Sequence, residues 1–228
     1  MARMEPRRDI GHSTNLVGRS TEWLASCAFN AEPARLRISG VEDMNPNLFA
    51  MLDEAETLAE AGEAFSCYMM AMFGLDPEQR AGAEKRRFRS SFRRLIGGWS
   101  FDSNGPEGAV LKGWVESRFG LCPSFHKTII DRAPGPAWAT YVEEKMSSKF
   151  HNNAIWTQLD LLFEFCQWAI ARFAFPNQTH LTLYRGVNRF DEHGIVERIS
   201  PREAVVRLNN LVSFTSDREV AGCFGDNI

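Results

Sequence analysis

The sequence lacks a long uninterrupted hydrophobic run and a strong excess of charge of either sign. Its most apolar segment, IWTQLDLLFEFCQWAIARFAF, is interrupted by Asp160, Glu164 and Arg172, which favours a buried helix over a membrane span. The opening residues, MARMEPRRDI, are charged where a secretory signal needs an apolar stretch. A net charge of −3 indicates no general affinity of the whole chain for nucleic acid or for a membrane.

The sequence also lacks the cysteine and histidine spacing of a metal site or a disulfide framework. The five cysteines are widely separated and include no Cys-x-x-Cys pair (Cys27, Cys67, Cys122, Cys166 and Cys223). This pattern predicts reduced, packed thiols in a cytoplasmic protein without a metal.

Helical patterns dominate residues 1–176, in a chain of 228 residues of which 44% are hydrophobic. The patterns predict a helix after Asn45-Pro46, a second one from Asp76-Pro77 to a stop at Gly97-Gly98, and a short one near Trp114 and Phe119. The longest is expected over about 152–174 and, being apolar on nearly every side, should form the centre of the core.

Residues 177–228 change to a pattern of short strands. HLTLYRGV, GIVERI and NNLVSFTS are the three candidates. Between the last two, Ser200-Pro201-Arg202-Glu203 has the spacing of a capping box that opens a short helix. A helical portion over 1–176 and a small mixed or antiparallel sheet over 177–228 together predict an α+β fold.

One arginine lies on an apolar strand face. The two-residue period of a strand places Arg185 on the same face as Leu181, Leu183 and Val187. A guanidinium is rarely buried without an anion, because its removal from water costs several kcal/mol. From the residues alone, two explanations stay open: an incoming anionic ligand, or a local carboxylate such as Asp191 or Glu192.

A second candidate site lies where the last strand leads into a helix. Ser216-Asp217-Arg218-Glu219 has the form of a capping box, which predicts Ser216 as the N-cap of a helix ending near Gly225. A helix N-terminus also suits phosphate or ribose oxygens. Ser213 is an alternative functional serine three residues earlier.

Two further features are ambiguous. The stretch RAGAEKRRFRSSFRRL carries seven basic residues against one acid, which fits either a solvated helix face or a docking surface for an anionic protein partner. Near the start, His12 and Asn15 could contact a ligand, although an ordered loop with a local turn is the simpler explanation.

The arginine and serine elements resemble a known class. LYRGV on one strand, followed about thirty residues later by SFTSD, is similar to the motifs of the Arg-Ser-Glu mono-ADP-ribosyltransferases. The flanking GHSTNLVG and NNLVSFTSDREVAGCFGD resemble the branch of this class that modifies dinitrogenase reductase in nitrogen-fixing bacteria.

This resemblance implies transfer of ADP-ribose from NAD to a target arginine, with residues 177–228 forming the start of the NAD-binding core. Arg185 would hold an NAD phosphate, which a planar guanidinium suits better than an ammonium. Gly186 would leave its backbone open to the nicotinamide amide. Ser216, with Ser213 as the alternative register, would order the nicotinamide ribose, and Thr215 would lie beside it in the NAD site.

The class also places a glutamate on a later strand, and Glu219 comes too early to match it. We therefore expect the sequence to lack its last strands and this chain to have little activity of its own. The resemblance further implies dinitrogenase reductase as the protein substrate and a PII-type regulatory protein as a partner. A non-catalytic helical binding module is the alternative.

Overall fold

The computed structural model of the protein describes residues 15–75, 91–146, 153–188, 190 and 194–226. These residues form helices in the first portion and a small antiparallel sheet in the second, which confirms the predicted α+β fold. The helices are α1 Thr21–Leu24, α2 Cys27–Ala31, α3 Val41–Met44, α4 Pro46–Glu54, α5 Leu58–Phe73, α6 Phe92–Phe101, α7 Pro106–Phe119, α8 Pro136–Lys145, α9 Asn153–Ala169 and α10 Arg218–Gly222. The strands are β1 Phe125–His126, β2 Thr128–Ile129, β3 Gly194–Ser200 and β4 Glu203–Arg207.

The core is built around two helices. Helix α9, which continues into a π-helical turn over Ile170–Ala174, confirms the long helix expected at this position and buries Ile155, Leu159 and Leu161. Helix α7 is at least as central, because every residue from 108 to 116 is buried. The sequence indicated only a short helix there, and its true extent is 14 residues.

Buried charges explain why α7 was underestimated. Lys112 and Glu116 interrupt its apolar pattern, yet they are only 1% and 3% exposed. Glu116 accepts hydrogen bonds from the Tyr141 hydroxyl at 2.5 Å and from Lys145 Nζ at 2.9 Å. The Lys112 ammonium donates to the carbonyl oxygen of Phe125 at 3.1 Å. Such partners make buried charges tolerable.

One predicted helix boundary is wrong. Gly97-Gly98 does not stop α6, which continues to Phe101. A Cβ at Gly98 would lie 2.5 Å from the Cγ of Glu107, so this glycine serves the close packing of α6 on α7 rather than a helix end. The helix after Asn45-Pro46 ends at Glu54, and α5 begins behind a capping box formed by Thr57 and Glu60. The predicted start at Asp76-Pro77 lies outside the described residues.

The described residues form two antiparallel strand pairs, a small one of β1 with β2 and a longer hairpin of β3 and β4. Gly194 pairs with Arg207 and Ser200 with Glu203, which confirms the strand expected at GIVERI. The capping box predicted at Ser200-Pro201-Arg202-Glu203 is wrong, since these residues form the turn between the strands. The Ser200 hydroxyl accepts a hydrogen bond from the backbone N–H of Arg202 at 3.2 Å, which stabilises a turn instead of a helix.

The other two predicted strands are reduced to one isolated bridge, Tyr184 with Thr215. Leu181 and Leu183, expected on a covered face with Arg185, are 40% and 46% exposed. The alternating pattern therefore did not correspond to a buried strand face within the described residues. No described helix is long and apolar enough to cross a membrane.

Candidate functional site

The two segments singled out by the sequence meet through the Tyr184–Thr215 bridge. The N–H of Tyr184 donates to the carbonyl of Thr215 at 2.7 Å, and the N–H of Thr215 donates back at 2.9 Å. This antiparallel pair places Arg185 and Gly186 beside Ser213 and Ser216, which the sequence separates by about thirty residues. Tyr184 itself was not predicted, and its only signal was its position before Arg185.

Arg185 is held by the protein through one backbone acceptor. Its Nη1 donates to the carbonyl oxygen of Ser213 at 2.9 Å, while its Nε is buried and has no hydrogen-bond partner among the described residues. Burial lowers the pKa of this guanidinium from its usual value. No carboxylate of the described residues pairs with it, and the two acids considered from the sequence, Asp191 and Glu192, lie outside them.

An unsatisfied buried donor on a cationic side chain is costly, at about 1–3 kcal/mol or more. A ligand phosphate that enters beside the side chain and displaces the atoms covering Nε would satisfy this donor and neutralise the guanidinium, since a guanidinium presents several N–H groups in one plane. The residues present at Arg185 therefore fit an anionic ligand such as a nucleotide pyrophosphate.

Gly186 has a structural explanation that the sequence did not indicate. A Cβ built on it would overlap the backbone carbonyl of Ala221 in α10, and a Cβ on Gly225 would overlap the backbone of Val187. The two glycines allow α10 and the residues after it to pack directly on the arginine segment. This packing fixes the orientation of Gly186 whether or not its backbone also contacts a ligand.

The capping role predicted for Ser216 is wrong. The N-cap of α10 is Asp217, whose Oδ1 accepts from the backbone N–H groups of Glu219 at 2.8 Å and Val220 at 3.3 Å. The helix starts one residue later than expected because Thr215 Oγ1 accepts from the N–H of Asp217 at 3.1 Å and closes a turn.

This correction changes what the junction can do chemically. The helix N-terminus is occupied by a carboxylate of the protein, so it is not the phosphate site that the sequence suggested. The Ser216 side chain is exposed and its hydroxyl makes no hydrogen bond to another described residue. It is therefore available to a ligand.

The other sequence candidates are only partly described. Asn15 forms a local turn, with its Oδ1 accepting from the N–H of Val17 at 3.0 Å, which agrees with the loop explanation; His12 lies outside the described residues. Most of the basic stretch, residues 80–90, is also outside them. Within the described part, Arg93 Nη2 donates to Ser66 Oγ at 3.1 Å.

Comparison with known proteins gives two matches that span nearly all of the chain. The sequence model of a family described as dinitrogenase reductase ADP-ribosyltransferase (DRAT) matches residues 14–228. A protein of Rhodospirillum rubrum named "NAD(+)--dinitrogen-reductase ADP-D-ribosyltransferase" is 60% identical over 229 residues, covering 98% of this chain and 83% of that protein. No solved structure matches the chain.

Proposed function

The chain belongs to the dinitrogenase reductase ADP-ribosyltransferase family, and from this we propose that it transfers ADP-ribose from NAD to dinitrogenase reductase. The modification would switch nitrogenase off. The similarity of 60% over 98% of the chain supports the reaction, and the geometry around Arg185 supports the place where NAD binds. We further propose that the acceptor on the target protein is an arginine.

The observation that carries the assignment of the site is the unsatisfied Nε of Arg185. The side chain is fixed on one side by Ser213 O and offers its remaining N–H groups to an anion. We assign these groups to an NAD phosphate. Because the carbonyl of Ser213 already orients the guanidinium, little conformational entropy would be lost when the phosphate binds.

The residues beside Arg185 complete the proposed NAD site. The hydroxyl of Ser216 is exposed and bonds no other described residue, and we assign it to the nicotinamide ribose. Ser213 contributes its backbone carbonyl to Arg185, and Thr215 contributes the bridge to Tyr184 and the turn that precedes Asp217. Gly186 lets α10 pack against the arginine segment, and the Tyr184–Thr215 bridge keeps the serine and the arginine in neighbouring segments.

The proposed transfer breaks one bond at the ribose carbon and forms another. The bond between C1′ of the ribose and the nicotinamide nitrogen breaks, and its electron pair leaves with nicotinamide. A guanidinium nitrogen of the target forms the new bond to C1′ and loses a proton. The transition state resembles an oxocarbenium ion, as in glycoside cleavage. Among the described residues after Ser216, no acidic residue lies on a strand, so the glutamate of the class is not assigned here.

We propose that the two portions of the chain have different roles. Residues 177–228 would bind NAD, and residues 1–176 would recognise the protein substrate, with the basic stretch before α6 as the docking surface. A PII-type regulator is proposed from the family resemblance alone. A cytoplasmic location is also proposed, because all five cysteines are free of disulfides.

The direct test is incubation of the protein with dinitrogenase reductase and NAD labelled in its adenylate part. Label on an arginine of dinitrogenase reductase, located by peptide mass spectrometry, together with release of one nicotinamide per label, supports the proposal. A saturable complex of the two proteins without even a trace of label or nicotinamide would instead support a binding module.

A further inference from the structure

Two adjacent asparagines connect the candidate NAD site to the helical portion. Asn209 accepts from the N–H of Ser124 at 3.0 Å and donates to the carbonyl of Phe125 at 2.8 Å. Asn210 donates through Nδ2 to the carbonyls of Lys112 at 3.0 Å and Leu121 at 2.8 Å. The sequence showed these asparagines only as the start of an expected strand.

These bonds recognise backbone groups that lie 84–98 residues away in the chain. Asn209 uses both a donor and an acceptor, and Asn210 uses two donors. A side-chain amide supplies these groups, and at both positions the side chain must have the length of asparagine. The carbonyl of Phe125 is also bonded by the buried ammonium of Lys112, so the receiving loop is itself fixed to α7. The asparagine contacts therefore join the segment before Ser213 to a loop that is itself fixed to α7.

Little apolar packing holds the site segment otherwise. Ser213 and Ser216 are exposed, Phe214 is 47% exposed, and only Leu211 packs against the main core cluster. Only Leu211 and Val212 lie between Asn210 and Ser213, whose carbonyl oxygen orients Arg185. The asparagine side chains therefore provide polar attachments of this segment to the helical portion.

The amide of Asn210 combines two donor bonds with an acceptor that has no partner among the described residues. Its Oδ1 is buried and has no hydrogen-bond partner among the described residues, and an unsatisfied buried acceptor costs about 1–3 kcal/mol. Retaining such a group suggests that the two directed donor bonds serve a purpose beyond packing.

We propose that Asn209 and Asn210 are positioning residues that hold the NAD-binding segment in register with the helical portion, on which the protein substrate docks. This inference rests on the proposed function. Transfer to a protein requires the ribose carbon and the target guanidinium to meet within bonding distance, whereas transfer to water needs no second macromolecule. Loss of register should therefore impair transfer to protein more than it impairs NAD binding or hydrolysis.

The experiment compares wild type with Asn210→Asp, which preserves size but replaces two donors by acceptors facing two carbonyls. Asn47→Asp, on the exposed side of α4, is the matched control. Calorimetry gives the Kd for NAD, and label transfer and nicotinamide release into water are measured in parallel. We expect transfer to fall about tenfold or more, while the Kd and the hydrolysis rate change by less than about threefold. The control should match wild type.

An unchanged ratio of transfer to hydrolysis in Asn210→Asp would overturn the inference. If that variant fails to fold by circular dichroism, Asn209→Ala provides the same comparison. A wild-type protein that neither binds NAD nor releases nicotinamide would refute the proposed function instead. In that case amide hydrogen exchange tests the positioning role of the asparagines. The amides of Tyr184 and Thr215 should exchange about tenfold faster in the variant than in wild type. Unchanged exchange rates would overturn the inference.

Discussion

Replacing Arg185 by lysine separates the charge of this side chain from its geometry. The ammonium can still reach the carbonyl of Ser213, which Nη1 bonds at 2.9 Å, but it cannot also present a second N–H at the position of the buried Nε. The variant therefore keeps a positive charge and loses the planar arrangement of donors. We expect weaker NAD binding with little change in the fold.

The magnitude follows from the contacts of the guanidinium. A hydrogen bond to a charged partner contributes about 1.5–3 kcal/mol, so loss of one phosphate contact should raise the Kd for NAD by about 10- to 100-fold. The free protein should be destabilised by less than about 1 kcal/mol, because the Nε bonds nothing there and its removal relieves an unsatisfied donor.

Isothermal titration calorimetry with NAD measures this effect, and urea unfolding measures stability. Arg202→Lys, in the exposed turn between β3 and β4, makes the same chemical change away from the site and should bind NAD as wild type does. A Kd for NAD within twofold of wild type in Arg185→Lys would refute the assignment of the phosphate to this side chain.

Four other substitutions and one control test the site and its surroundings. Ser216→Ala should lower label transfer but leave the free energy of unfolding within about 0.5 kcal/mol of wild type. Asp217→Ala should lower the free energy of unfolding by about 1 kcal/mol, because it removes the N-cap of α10. Gly186→Ala should destabilise by about 1–3 kcal/mol through overlap with the α10 backbone; Gly62→Ala, which has open space, should not. Burial lowers the pKa of Lys112 to about 8, so the unfolded state binds more protons between pH 8 and 10.5. The stability of wild type relative to Lys112→Met should therefore rise across that range, by up to about 3 kcal/mol.

Each of these expectations has a contrary result. A stability loss in Ser216→Ala equal to that in Asp217→Ala would restore Ser216 as a cap. Equal melting behaviour of Gly186→Ala and wild type would show that α10 does not pack on the arginine segment. A pH-independent difference between wild type and Lys112→Met would mean that the Lys112 ammonium is solvated.

The sequence predicted the class of the fold, because the class depends on local periodicity. The long apolar helix α9 and the strand at Gly194–Ser200 follow directly from that pattern. Helix α7 did not, because its buried Lys112 and Glu116 are compensated by residues distant in sequence. No local pattern contains that information.

The candidate site was likewise predicted from the sequence only in part. The sequence indicated that Arg185 needs an anion, from a ligand or from a local carboxylate, and no carboxylate among the described residues pairs with it; Asp191 and Glu192 lie outside them. The capping serine was misassigned because Ser216 and Asp217 are both good N-caps, and the turn closed by Thr215 decides between them. Asn209 and Asn210 could not be recognised at all, since their partners are backbone groups that carry no sequence signature.

The central claim is that the guanidinium of Arg185 binds a phosphate of NAD through a donor that is unsatisfied in the free protein. Nuclear magnetic resonance of arginine Nε–H groups tests it directly, with Arg185→Lys used to assign the resonance. We predict that this resonance moves downfield when NAD or ADP-ribose is added and stays unchanged with nicotinamide alone. A resonance that NAD does not shift, although NAD binds, would contradict the account.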